Sequence, residues 1–118
     1  MIRLTAVLRR HASLSPEAFR AHWAEAHAEV IRATPGVADR VVRYEQHPRA
    51  EAPGRWTGSD GFDGVTVQWF RSMDDFGAML RDPGYQANVA PDEGRLLDLD
   101  GSVYLLTDEP RVIIGDRG

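Results

Sequence analysis

Two histidines stand five residues apart in the run Phe19-Arg20-Ala21-His22-Trp23-Ala24-Glu25-Ala26-His27. An imidazole titrates close enough to neutrality that modest burial or a nearby carboxylate can retune it into a general acid or base. Apolar residues Phe19, Trp23, Ala26, Val30 and Ile31 recur at spacings of three and four, so His27 is projected onto the apolar stripe of a helix. His22 sits at the edge of that stripe. A buried histidine needs a partner for at least one ring nitrogen. Two readings of His27 are therefore open: a core histidine bonded to a neighbour, or a general acid/base lining a pocket between helix and sheet. On a regular helix His22 and His27 lie about 140° apart at 3.6 residues per turn, which disfavours joint chelation of one metal ion.

The helix that must carry them begins at Ser15-Pro16-Glu17, an N-cap serine followed by a proline at the first helical position and an early acid. Thr34-Pro35-Gly36 is expected to end it. Before it, Ile2, Leu4, Ala6 and Leu8 alternate with Arg3, Thr5, Val7 and Arg9, a strand pattern. After it, Val37 to Gln46 reads as a second strand. Residues 47–61, with two prolines and three glycines, read as a long binding loop or lid with Trp56 as its large apolar side chain. Phe62 to Phe70 is a third strand with Val65, Val67 and Trp69 on one face and Gly64, Thr66, Gln68 and Phe70 on the other. Ser72 caps a helix from Met73 to about Leu80. Tyr85 to Val89 and Asp92 to Leu97 read as short helical pieces separated by Pro91, and Ser102 to Thr107 as a fourth strand. In the tail, residues 108–118, Val112-Ile113-Ile114 suggests an edge strand or a contact with another subunit.

The order β-α-β-β-α-β is the ferredoxin-like α+β pattern, an antiparallel sheet with both helices on one face. Its 118 residues suit one domain. The other sheet face is mixed in composition and suits packing against a symmetry mate, giving a homodimer.

Composition removes several classes of function. All 14 basic residues are arginine, scattered along a chain of net charge −4, so no nucleic-acid footprint is present. Absence of cysteine excludes disulfides, thiol catalysis and thiolate metal sites. No apolar run approaches the ~20 residues needed to span a membrane, and Met1 to Leu8 alternates rather than forming a signal-peptide core. A cytoplasmic location is expected. Phosphate-cradling glycine motifs and a nucleophile elbow are missing.

The runs FRAHWAEAHAEV, FDGVTVQWF and TDEPRVII resemble the EthD-like family of the dimeric α+β barrel group over about residues 2–114. The resemblance implies two ferredoxin-like protomers packed sheet on sheet. Relatives in the group include cofactor-independent polyketide cyclases, muconolactone-type isomerases, dehydratases and monooxygenases, so the fold alone does not assign a reaction. In the relatives that are enzymes, a first-helix histidine and a second-strand tyrosine line the pocket, positions matched by His27 and Tyr44. A further loop histidine of the isomerase type is not matched: its place falls near Trp56 or Thr57, with His47 the nearest histidine.

The resulting expectation is a lyase, isomerase or cyclase that needs neither cofactor nor metal and acts on a small hydrophobic, aromatic or polyketide-like compound. His27 would move a proton at a carbon beside a carbonyl. Tyr44 would hydrogen-bond the developing enolate oxygen. Asp63 would orient a histidine or serve as a second base, or simply close the turn at the strand entrance. His22, Trp23, His47, Trp56, Trp69 and Tyr85 are the substrate-binding candidates. The alternatives are a non-catalytic binding or accessory protein and a cofactor-free monooxygenase.

Overall fold

A computed structural model describes residues 1–51, 56 and 61–116. Strand β1 (Ile2–Leu8) leads to a helix whose residues 16–32 run as three joined pieces: α1 (Pro16–His22), a π-helical turn (Trp23–His27) and α2 (Ala28–Arg32). A short α3 (Pro35–Ala38) precedes β2 (Val41–Pro48) and β3 (Gly64–Phe70). Then come α4 (Met73–Arg81), a second π turn (Tyr85–Val89), α5 (Ala90–Leu96) and β4 (Val103–Thr107). The strands lie in the order β2-β3-β1-β4, every neighbouring pair antiparallel. This is the ferredoxin-like α+β fold. Among the described residues no helix is long and apolar enough to cross a membrane.

Local chemistry accounts for the helix starts. The Ser15 hydroxyl accepts the Ala18 N–H at 3.1 Å, and the Ser72 hydroxyl accepts the Asp75 N–H at 3.1 Å. Asp82 ends α4 in an extended conformation and opens the next helical segment, accepting the Gly84 and Tyr85 N–H groups at 2.9 and 3.2 Å.

Several sequence expectations are corrected. Pro35 does not simply end the first helix; it occupies the first turn of α3, where its missing N–H costs nothing, and Val37 is buried there rather than in a strand. Strand β2 starts at Val41 and runs through His47 and Pro48, both assigned to the loop above. Residues 52–55 and 57–60 of that loop lie outside the described residues, as do 117 and 118. Pro91 does not separate two helical pieces, because the π turn ends just before it and the backbone continues helically through Ala90 into α5. The wider turn accommodates a ring that cannot donate to the preceding turn. The tail forms no strand among the described residues, and Ile113 and Ile114 are 83 and 94 % exposed.

A bulge in β2 matters for the interior. Val41 pairs with Phe70 but Arg43 pairs with Trp69, so the residues flanking Val42 fall on opposite faces. Val41 packs inward, Arg43 turns to the outer face over Trp69, and Tyr44 returns inward.

The core is split. One cluster holds Ala6, Leu8, Phe19, Trp23, Leu96 and Leu97; the other holds Val37, Phe70, Met79 and Val89. Between them, against the helix-bearing face of the sheet, is a cavity of about 380 Å³ to which both clusters contribute walls. The outer sheet face carries Val65, Val67, Trp69, Val103 and Leu105, with Leu105 61 % exposed.

Candidate functional site

The π turn changes the relation between the two histidines. Turns of this kind close i→i+5 hydrogen bonds, one residue wider than an α turn, and so bring residues five apart onto one side. His22 and His27 are thereby aimed at a common carboxylate, which corrects the 140° separation expected of a regular helix. His27 Nδ1 lies 2.6 Å from Asp92 Oδ2, and His22 Nε2 lies 2.8 Å from Asp92 Oδ1. Gln46 of β2 supports the irregular turn by donating to the Trp23 carbonyl at 2.8 Å.

Asp92 and His27 are both buried, whereas the His22 side chain is 31 % exposed. Burial by itself would raise the Asp92 carboxyl, but the hydrogen bonds from His27 and His22 outweigh it and hold the group below its usual range. Burial lowers His27, and the nearby Asp92 offsets this only in part. The geometry is that of a neutral imidazole donating Nδ1–H to a carboxylate. Nε2 is left with no hydrogen-bond partner among the described residues on a side chain that lines the cavity. Such an imidazole can accept a proton.

The rest of the polar lining comes from five elements and includes Thr66 of β3 and Tyr104 of β4. Tyr44 from β2 and Gln68 from β3 enter from the sheet; Tyr85 and Glu93 enter from the second helical segment. Tyr85 Oη donates to Glu93 Oε1 at 2.7 Å. Burial pushes both phenols, Tyr44 and Tyr85, well above the usual range, so they stay protonated and can donate. The remaining walls are largely apolar, from Leu4 and Ala6 below to Ile31 and Phe76 above. The volume and the apolar walls with a few convergent polar groups match a small-molecule pocket. Trp23 also lines it, and its indole N–H has no partner among the described residues.

Of the nine residues singled out from sequence, the cavity gathers His27, Tyr44, Trp23 and Tyr85, and His22 joins through Asp92. The other four lie elsewhere. Asp63 accepts the Arg10 backbone N–H at 3.0 Å and its guanidinium at 2.9 Å, so it ties the end of β1 rather than orienting a histidine. His47 is paired with Glu45 at 2.8 Å and exposed. Trp69 lies on the outer face beneath the guanidinium groups of Arg3 and Arg43, 5.3 and 5.7 Å from its ring centre. Trp56 is 82 % exposed and is not among the cavity walls. Sequence reasoning missed Asp92 and Glu93. Pro91-Asp92-Glu93 has the form of an ordinary acidic helix start, and only the position of the preceding π turn distinguishes it. Among the described residues no group of three or more ligating side chains could hold a metal ion.

Solved structures share the fold. An EthD family protein from Bacillus halodurans aligns over 93 % of this chain and 99 % of its own, with 18 % identity and a TM-score of 0.65. A dimeric ferredoxin-like protein of unknown function from Thermobifida fusca aligns over 90 % and 88 %, with 16 % identity and a TM-score of 0.59. SnoaB, a cofactor-independent oxygenase from Streptomyces nogalater, aligns over 95 % of both chains, with 17 % identity and a TM-score of 0.60. No match was found among curated proteins. The sequence itself matches the EthD domain over residues 11–100, most of its length, and the chain belongs to that family.

Proposed function

We propose that the protein is a cofactor-independent lyase, isomerase or cyclase that moves a proton at a carbon beside a carbonyl in a small hydrophobic ring compound. One observation carries this reading: a buried histidine lining an apolar cavity has an Nε2 with no partner among the described residues, while its other nitrogen is held by a buried carboxylate. Asp92 selects the tautomer and stabilises the imidazolium formed when His27 takes the proton; it need not itself become protonated. Tyr44 donates a hydrogen bond to the oxygen on which charge develops. The apolar walls exclude water and strengthen both interactions.

The test is hydrogen–deuterium exchange at the α-carbons of β-tetralone in D₂O, followed by NMR. The wild type accelerates exchange over buffer, and His27→Ala loses about 10²–10⁴-fold, the usual worth of a positioned acid–base group. Undiminished exchange by His27→Ala overturns the assignment.

The likeness to SnoaB favours a second reading, in which the same base ionises a hydroquinone-type substrate that then reacts with O₂. Oxygen consumption with a dihydroxynaphthalene distinguishes it. The active form is proposed to be a homodimer joined through the outer sheet face. The apolar side chains of β3 and β4 there and the dimeric relatives support that reading.

A further inference from the structure

Proton transfer by His27 leaves one acid of the cavity unused. Glu93 follows Asp92 directly on α5 and lines the cavity. Its Oε1 accepts from Tyr85 at 2.7 Å, while Oε2 has no partner among the described residues. Nor does any cationic side chain among those residues pair with it. Burial raises this carboxyl above its ordinary range; the adjacent Asp92 charge adds to the rise, and the Tyr85 hydrogen bond opposes it. The phenols of Tyr44 and Tyr104 also stand close enough to feel its charge, and burial keeps both neutral. A carboxyl so placed, with no cationic partner among the described residues, holds its proton more tightly than one in water. Were Glu93 only a strut between Tyr85 and α5, glutamine would serve equally well.

We propose that Glu93 is the proton donor at the oxygen end of the cavity, and that the cavity takes neutral carbonyl compounds rather than carboxylates. This rests on the proton-transfer reading above. His27 Nε2 takes a proton from the carbon beside the carbonyl, and the C–H electron pair becomes a C=C bond. The carbonyl π pair takes the proton of Glu93 Oε2, giving an enol, an imidazolium and a carboxylate. In the return step the Glu93 carboxylate recovers the O–H proton and the C=O bond re-forms. The imidazolium then returns a proton to carbon, at the original position or at the far end of a conjugated system. Nothing is consumed. A carboxylate ligand would bring a further anion into an apolar cavity already holding the Asp92 charge beside it.

The experiment compares the wild type with Glu93→Gln, which keeps the shape and a hydrogen-bond donor but carries no transferable proton. At neutral pH the infrared difference spectrum between the two shows a protonated-carboxyl C=O band in the wild type. That band shifts when β-naphthol, a neutral enol analogue, binds. β-Naphthol binds at least about tenfold more tightly than β-naphthoate, since an unpaired charge is costly to bury. Glu93→Gln retains β-naphthol affinity within about threefold but loses about 10²-fold of β-tetralone exchange. Absence of the band, or a band unmoved by β-naphthol, overturns the proposal whether or not β-tetralone is turned over. If His27→Ala abolishes exchange while Glu93→Gln keeps it, the Glu93 role falls and the proton-transfer reading stands. If His27→Ala keeps it, that reading itself falls.

Discussion

His27 Nδ1 and Asp92 Oδ2 approach to 2.6 Å across 65 residues of chain, both buried, with His22 on the other oxygen of the same carboxylate. This contact joins the first helical segment to α5, fixes the imidazole tautomer and leaves Nε2 for the cavity.

Removing the charge from that contact is expected to act in two ways. Asp92→Asn loses about 10²-fold or more of β-tetralone exchange, because the imidazolium is no longer stabilised. Asp92 also opposes the burial-driven lowering of His27, so the variant's His27 titrates at still lower pH. Histidine NMR titration of the two proteins checks the direction; an upward shift contradicts the arrangement.

Stability should fall on the acid side for a definable reason. Above pH 6.5 His27 is neutral in folded and unfolded chains alike; below it the unfolded chain takes up a proton that the folded one resists. Stability is therefore lost as pH drops below 6.5, and Asp92, also lowered, adds a further loss below 3.8. Glu93 works the other way, since the unfolded chain releases its proton above pH 4.5 while the folded chain retains it. Glu93→Gln should thus gain thermal stability relative to the wild type at pH 7 more than at pH 5. Scanning calorimetry at the two values reads the difference.

Gly64 opens β3 where the Trp23 ring passes. A Cβ there would lie 2.6 Å from the ring and 3.0 Å from the His47 carbonyl oxygen. Gly64→Ala forces the indole or the β2 backbone to shift and should cost about 1–3 kcal/mol, the usual price of overpacking. Urea unfolding measures it.

Asp63 tests the corrected placement. Asp63→Ala leaves the half-buried Arg10 N–H without its acceptor and should cost about 1–3 kcal/mol. The exchange activity of the folded protein should be unchanged. A selective loss of activity at full stability would return Asp63 to the site.

The outer face carries the proposed dimer. Leu105→Asp places a charge among its exposed apolar side chains, on the edge strand β4, and should yield a monomer by light scattering, with the cavity on the opposite face intact. A wild type that is already monomeric removes the dimer.

The EthD resemblance, the β-α-β-β-α-β order and the helix caps at Ser15 and Ser72 were legible in the residues alone. Strand alternation, hydroxyl caps and proline at a first helical turn act between residues near in sequence, and their signals are local. The inward projection of His27 was legible in the same way, from the apolar stripe. What only the tertiary structure decided is the partnership around it. A π turn without proline, a bulge at Val42 and the approach of α5 depend on contacts between distant segments, and the first two depart from the regular period by a residue. The two local departures turned His22 onto the Asp92 carboxylate and returned Tyr44 to the interior, and the packing of α5 brought Asp92 and Glu93 to the site. Periodicity assigns a face only while the period holds; where packing changes it, the residues that do chemistry are placed by the fold.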